Sequence, residues 1–152
     1  MNSLNTVEVS GDAPGDVEEL VRFVLHEKGI SGAEVSVHFC DAEEIARLNR
    51  EYRGIDAPTD VLSFPMHESL SAMMDALSLT PSVLLGDLVL SEPVIRQNCE
   101  TYGVSFSEEL TRLVIHGMLH LLGETHQGYD HGDPMLAEQE RLVKRHLEAK
   151  EQ

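Results

Sequence analysis

The sequence predicts an α+β fold, a single small mixed β-sheet of about four strands packed with about five helices. Three observations lead there. Short alternating or apolar runs read as strands at Glu34–Phe39, Asp60–Phe64 and Leu84–Ser91. Longer runs with apolar residues at helical spacing lie between and after them, in mixed order. No repeat, linker or low-complexity tract divides the chain, so residues 1–152 are expected to form a single domain. A chain of that length can remove roughly 70% of its unfolded surface from water.

The elements follow in order. Val7–Val9 begins a short strand. Val17–Glu27 places Val17, Leu20, Val21, Val24 and Leu25 on one side of a helix, with Gly29 just past its end. In Glu34–Phe39, Val35, Val37 and Phe39 alternate inward, and His38 faces out as a solvated strand residue. Asp41 followed by Glu44 has the form of an N-terminal cap for a helix reaching Arg50 or Tyr52, with Ile45 and Leu48 inward. Asp60–Phe64 is a strand closed by Pro65, and Met66–Ser82, with its incidental His67, reads as a loop or a loop with a helical turn. The apolar strand Leu84–Ser91 precedes a helix over Glu92–Tyr102 that stops at Gly103. Ser105 and Glu108 cap a helix running to Leu122 and ending at Gly123, and Asp133-Pro134 opens the last helix, Pro134–Glu148.

Composition excludes several classes of function. Lys+Arg total 11 and Asp+Glu 27, a formal net charge of −16, so the mean field repels phosphate and a general nucleic-acid binder is ruled out. Contact with RNA needs a local basic patch or a partner. Arg47, Arg50 and Arg53, spaced by three at a helix end, could form such a patch or pair with Glu43, Glu44 and Glu51 as a solvated face. Met1–Glu8 has neither the basic nor the apolar region of a secretory signal, and no apolar run approaches the ~18 residues of a membrane span. Cys40 and Cys99 form no CxxC pair and are expected to be reduced, buried thiols. No membrane association and a cytoplasmic location are therefore expected.

The chemistry-bearing segment is His116-Gly117-Met118-Leu119-His120-Leu121-Leu122-Gly123-Glu124-Thr125-His126. His116 and His120 stand one turn apart on the same side of a helix. The rest of that helix is apolar except for a stripe of Glu109, Arg112, His116 and His120, which predicts burial and demands partners for the two imidazoles. Gly123 ends the helix and lets the chain turn back, returning His126 toward them. Three neutral imidazoles with one open position are the layout of a catalytic zinc site, one ion per chain. Peptidases of the HExxH type carry a general-base Glu directly after the first His, where this chain has Gly117, and that opposes proteolysis.

These residues resemble the YbeY-type bacterial endoribonucleases, whose signature HGxLHLxGxDH is similar to His116–His126 apart from its tail. Two further blocks are similar to the family, Leu48 to Pro65 and Leu85-Gly86-Asp87-Leu88-Val89-Leu90-Ser91, so the likeness spans about residues 34 to 145. The family usually has Tyr-Asp before the third ligand, whereas here Glu124-Thr125 precede His126 and Gly128-Tyr129-Asp130-His131 follows. A substituted motif ending at His126 and an insertion ending at His131 are both open. Spacing from His120 and to Met135 favours His126, leaving His131 as an extra or outer group and Asp130 as a carboxylate that could orient an imidazole.

The resemblance implies a zincin-like metal helix and a zinc-dependent, single-strand-specific endoribonuclease. It further implies a role in maturing the 3′ end of small-subunit ribosomal RNA and in ribosome quality control. Arg53 would bind and neutralise the scissile phosphate, as a guanidinium suits the charge that builds on its oxygens. No general base is identifiable, and attack by water or by the RNA 2′-hydroxyl is open. The expected partners are ribosomal RNA and the ribosome, with an Era-type GTPase or a small-subunit ribosomal protein. The competing readings are a zinc hydrolase of another substrate, such as a peptide, and a non-catalytic assembly factor clamped by metal.

Overall fold

The protein is described from a computed structural model that covers residues 5–67, 69–80, 82–124 and 133–150. Ten elements follow in order: β1 (Thr6–Ser10), α1 (Val17–Glu27), β2 (Ala33–Phe39), α2 (Ala42–Arg53), β3 (Val61–Pro65), α3 (Leu70–Leu79), β4 (Val83–Leu90), α4 (Glu92–Tyr102), α5 (Phe106–Leu121) and α6 (Pro134–Lys150). The strands form one sheet in the order β1-β2-β4-β3. β1 and β2 run parallel, as do β2 and β4, whereas β3 lies antiparallel to β4 at the edge. This is the α+β class the sequence predicts, with six helices.

Local chemistry explains most boundaries. The Asp41 carboxylate accepts the Glu44 amide at 2.8 Å, Ser105 Oγ accepts the Glu108 amide at 3.1 Å, and Asp133 Oδ1 accepts the Met135 amide at 2.9 Å. All three are the caps expected from sequence. α3 is the additional helix, in the stretch read as a loop with at most a helical turn. Ser69 caps it by accepting the Ala72 amide at 3.1 Å, and Met73 is its fully buried anchor.

Each face of the sheet carries a core. The larger gathers Val35, Val37, Leu88 and Leu90 from the strands with Val21, Leu25, Val114, Ile115, Met118 and Leu142 from helices. α5 lies at its centre, packed against β3, β4, α1, α4 and α6. A smaller cluster of Ile45, Leu62 and Val89, with Leu48 and Phe64 against it, joins α2 to the other face. Burial of Val17, Leu20, Val21, Val24 and Leu25 on α1, and of Val35, Val37 and Phe39 on β2, agrees with the sequence reading. No helix among the described residues is long and apolar enough to cross a membrane.

Both cysteines are free; Cys99 is buried and Cys40 half-buried, one step short of the expectation. Burial, with Glu44 and Asp41 nearby, pushes the Cys40 thiol up to about 11, and burial likewise raises Cys99. Neither is poised as a nucleophile.

Candidate functional site

A cleft of about 920 Å³ opens between two walls. One is built by α5 and α6, with Arg112, His116, Gly117, His120 and Gln139 facing it; the other, by α2, β3 and the loop between them, presents Tyr52, Arg53, Thr59, Asp60 and Ser63. The structure thus brings His116, His120 and Arg53 to one cavity. His126, Asp130 and His131 lie outside the described residues.

The helical pair has defined geometry. The Nε2 atoms of His116 and His120 stand 3.0 Å apart, with ring centroids at 4.6 Å. Two imidazole ligands at ~2.0–2.1 Å from a tetrahedral zinc would be separated by roughly 3.3 Å, so the spacing fits such an ion. Nδ1 of His116 meets Gln139 Oε1 at 2.6 Å, which directs the ring's other nitrogen to the cleft. Among the described residues, no third His, Cys, Asp or Glu completes a metal-binding group.

Gly117 has a packing reason. A Cβ there would lie 2.7 Å from Leu88 Cδ2, because α5 sits directly on the sheet at this point. Leu88 is fully buried, so a larger side chain after His116 would displace the core. The position lacks the general-base Glu of HExxH peptidases, and any side chain there would have to shift the end of Leu88. Gly123 has φ 87°, the left-handed turn expected at the end of this helix. Glu124, just beyond, pairs with Lys28 Nζ at 3.3 Å.

The arginines of the two walls differ. Arg112 forms a two-pronged contact with Glu140, Nε and Nη2 both at 2.9 Å, and pairs also with Glu108 and Glu109. The Glu140 contact raises the Arg112 pKa and, reciprocally, holds the Glu140 carboxyl below its usual value. Arg53, at the exposed end of α2, has no ion pair among the described residues. Its neighbours in the expected patch are engaged, Arg47 with Glu51 at 3.1 Å and Arg50 with Asp56 at 3.6 Å. Only Arg53 of those three lines the cleft.

Other groups settle into supporting places. The buried Asn49 donates to Ala57 O at 2.9 Å, and Asn98 donates to Asp60 at 3.3 Å, bracing the loop between Arg53 and β3. The Tyr52 ring packs edge-on to Phe64, centroids 5.2 Å apart, and stays 65% exposed. His38 lies away from the cleft with Ser10 and Glu44, and His67 meets Leu84 O, so neither joins the pair. Gln139 is the cleft residue sequence reasoning missed. No local signal marks it, because its contact with His116 spans 23 positions.

A mixed sheet whose central helix presents two imidazoles to a cleft, with one guanidinium on the facing wall, belongs to the class of α+β proteins with an open cleft able to take a cation and an anion. Comparison with known proteins narrows this class to one family. The family described as Endoribonuclease YbeY matches residues 2–147, and the chain belongs to it. Endoribonuclease YbeY of Geobacillus thermodenitrificans is 40% identical over 141 residues, covering 92% of this chain and 90% of that protein. The Bacillus subtilis protein of the same name is 37% identical over 139 residues, covering 91% and 88%. The solution structure of TM1509 from Thermotoga maritima aligns with a TM-score of 0.62 at 28% identity, covering 91% of this chain and 87% of that one.

Proposed function

We propose that this chain is a zinc-dependent endoribonuclease that cleaves single-stranded RNA, with the described cleft as its active site. The observation that carries the reading is the pair of imidazole Nε2 atoms 3.0 Å apart at the cleft. The matching relatives named Endoribonuclease YbeY support RNA as the substrate. His116 and His120 would hold the ion with His126 as the third ligand. Bound there, zinc would act as a Lewis acid on a phosphoryl oxygen and lower the pKa of a nearby water.

The chain's own side chains do the rest. Arg53, whose charge no carboxylate among the described residues pairs, binds the scissile phosphate and offsets the charge that grows on its non-bridging oxygens. Arg112, committed to three carboxylates, holds the opposite wall. In a protein of net charge −16, the Arg53 guanidinium gives little general affinity for RNA. Delivery by the ribosome or a protein partner fits that balance. The proposed setting is accordingly the cytoplasmic maturation of the 3′ end of small-subunit ribosomal RNA and ribosome quality control. An Era-type GTPase or a small-subunit ribosomal protein is the proposed partner.

The test is cleavage of single- and double-stranded RNA by purified protein of known metal content, with and without chelator. Zinc near one per chain, with cutting of single strands that chelator abolishes and zinc restores, is the expected result. A 2′,3′-cyclic phosphate at the new end would indicate the RNA hydroxyl as nucleophile, and its absence would favour water. Bound zinc without chelator-sensitive cleavage would overturn catalysis in favour of a metal-clamped assembly factor. Metal-dependent cleavage of a peptide library instead would favour a hydrolase of another substrate, despite the missing general-base carboxylate at Gly117.

A further inference from the structure

We infer that Gln139 is a positioning residue that sets the tautomer of His116, keeping its Nε2 lone pair aimed into the cleft. This rests on the reading of His116 as a metal ligand and extends it to a residue of another helix, one that no sequence motif marks. Gln139 is buried on α6, and its side chain reaches across to α5. Its Oε1 lies 2.6 Å from His116 Nδ1, while its Nε2 lies 3.0 Å from Glu140 Oε2.

The second contact decides the first. An ionised carboxylate only accepts hydrogen bonds, so Glu140 must receive an N–H of the Gln139 amide. That contact fixes which end of the amide is nitrogen and turns the carbonyl oxygen toward His116. Glu140 is itself oriented by the two-pronged contact with Arg112. A carbonyl oxygen facing Nδ1 requires a proton on Nδ1, and a neutral ring protonated there has its lone pair on Nε2. The chain Arg112–Glu140–Gln139–His116 therefore transmits the α5–α6 register to the nitrogen facing His120. A partner on the far nitrogen of a ligating imidazole fixes the ring and raises its basicity, and losing one costs about 10- to 100-fold in metal affinity.

The test compares the wild type with Gln139→Leu, which keeps bulk but removes the acceptor, and with the swapped pair Gln139→Glu/Glu140→Gln, which keeps an acceptor for His116 Nδ1 and an amide N–H between the two side chains. The readouts are zinc affinity by competition with a chromophoric chelator and the His116 tautomer in the metal-free full chain. The tautomer is read by long-range ¹H–¹⁵N correlation and assigned by the signals lost in His116→Gln. The expected results are an Nδ1–H tautomer in the wild type and its loss, with zinc binding 10- to 100-fold weaker, in Gln139→Leu at a near-native urea midpoint. The swapped pair should return the tautomer and bring zinc affinity back to within a few-fold. An unchanged tautomer in Gln139→Leu, or an Nε2–H tautomer in the wild type, would overturn the inference. If Gln139→Leu fails to fold, the swapped pair and the wild-type tautomer still decide it: Nδ1–H in both supports the inference, and Nε2–H in either contradicts it. A wild type that keeps the Nδ1–H tautomer yet binds no zinc would defeat the metal reading while leaving the Gln139 contact supported.

Discussion

Arg112 on the α5–α6 wall and Arg53 on the α2–β3 wall face one cleft, yet their surroundings are opposite. Arg112 meets Glu108, Glu109 and Glu140 and sits in a chain of contacts that ends on His116. Arg53 is exposed and meets no carboxylate among the described residues. A guanidinium whose donors are used up joins elements together; one whose donors remain open can take a bidentate anion from outside. The contrast teaches that lining a cleft does not assign a role. The state of the charge bears on it: in the proposed mechanism one wall holds the metal ligands in place and the other receives a phosphate.

The largest effect that can break this comparison comes from the ligands. His120→Ala should abolish stoichiometric zinc and reduce RNA cleavage to background, read by metal analysis beside a cleavage assay. Retained activity would remove the helical pair from the chemistry. Arg53→Ala should lower kcat/KM by about 10²- to 10³-fold, the scale for losing one preorganised donor to a developing oxyanion. Zinc content should be unchanged and stability altered by no more than about 0.5 kcal/mol, since the side chain is exposed.

Arg112→Ala sharpens the contrast from the other wall. It should cost about 1–2 kcal/mol in urea unfolding, a charged hydrogen-bond loss discounted for partly exposed partners. Any fall in activity should accompany weaker zinc binding, unlike that of Arg53→Ala. If the two variants behaved alike, the division of labour between the walls would fail.

The smallest effects are pH-dependent. Glu140 is held below its ordinary value of 4.5 by the Arg112 hydrogen bond. A depressed carboxyl contributes stability that is complete above its unfolded pKa and is lost as pH falls through the folded one. Unfolding free energy should therefore drop below pH 4.5, less steeply in Arg112→Ala. His146, buried against Phe23 with ring centroids 4.9 Å apart, is depressed below 6.5 by burial and by Lys150, against the pull of Glu19. The folded state prefers its neutral form, so stability should also decline as pH falls below 6.5, and His146→Phe should flatten that part of the profile.

What was readable in the sequence follows the range of the interactions involved. The caps at Asp41, Ser105 and Asp133 were legible because each acts on an amide two or three residues on. The alternation of Val35, Val37 and Phe39 and the placing of His116 and His120 on one side of α5 were legible because period alone decides them. α3 was hidden because Met73 is the only buried side chain among its described ones, too little for a periodic signal. Gln139, and the neutralisation of Arg112 by Glu140, depend on how α6 lies along α5, 23 and 28 positions away, which no local pattern encodes. Gly117 was noticed for the carboxylate it lacks, while its closeness to Leu88 required the sheet.

The central claim, that His116, His120 and His126 grip one zinc and leave a position open, is tested most directly by zinc X-ray absorption on the full chain loaded with one equivalent. The account predicts a first shell of nitrogen and oxygen only, with scattering from three imidazoles and one further light atom. In His126→Ala the imidazole count should fall to two. A sulfur neighbour, a fourth imidazole, or an imidazole count unchanged in that variant would contradict it.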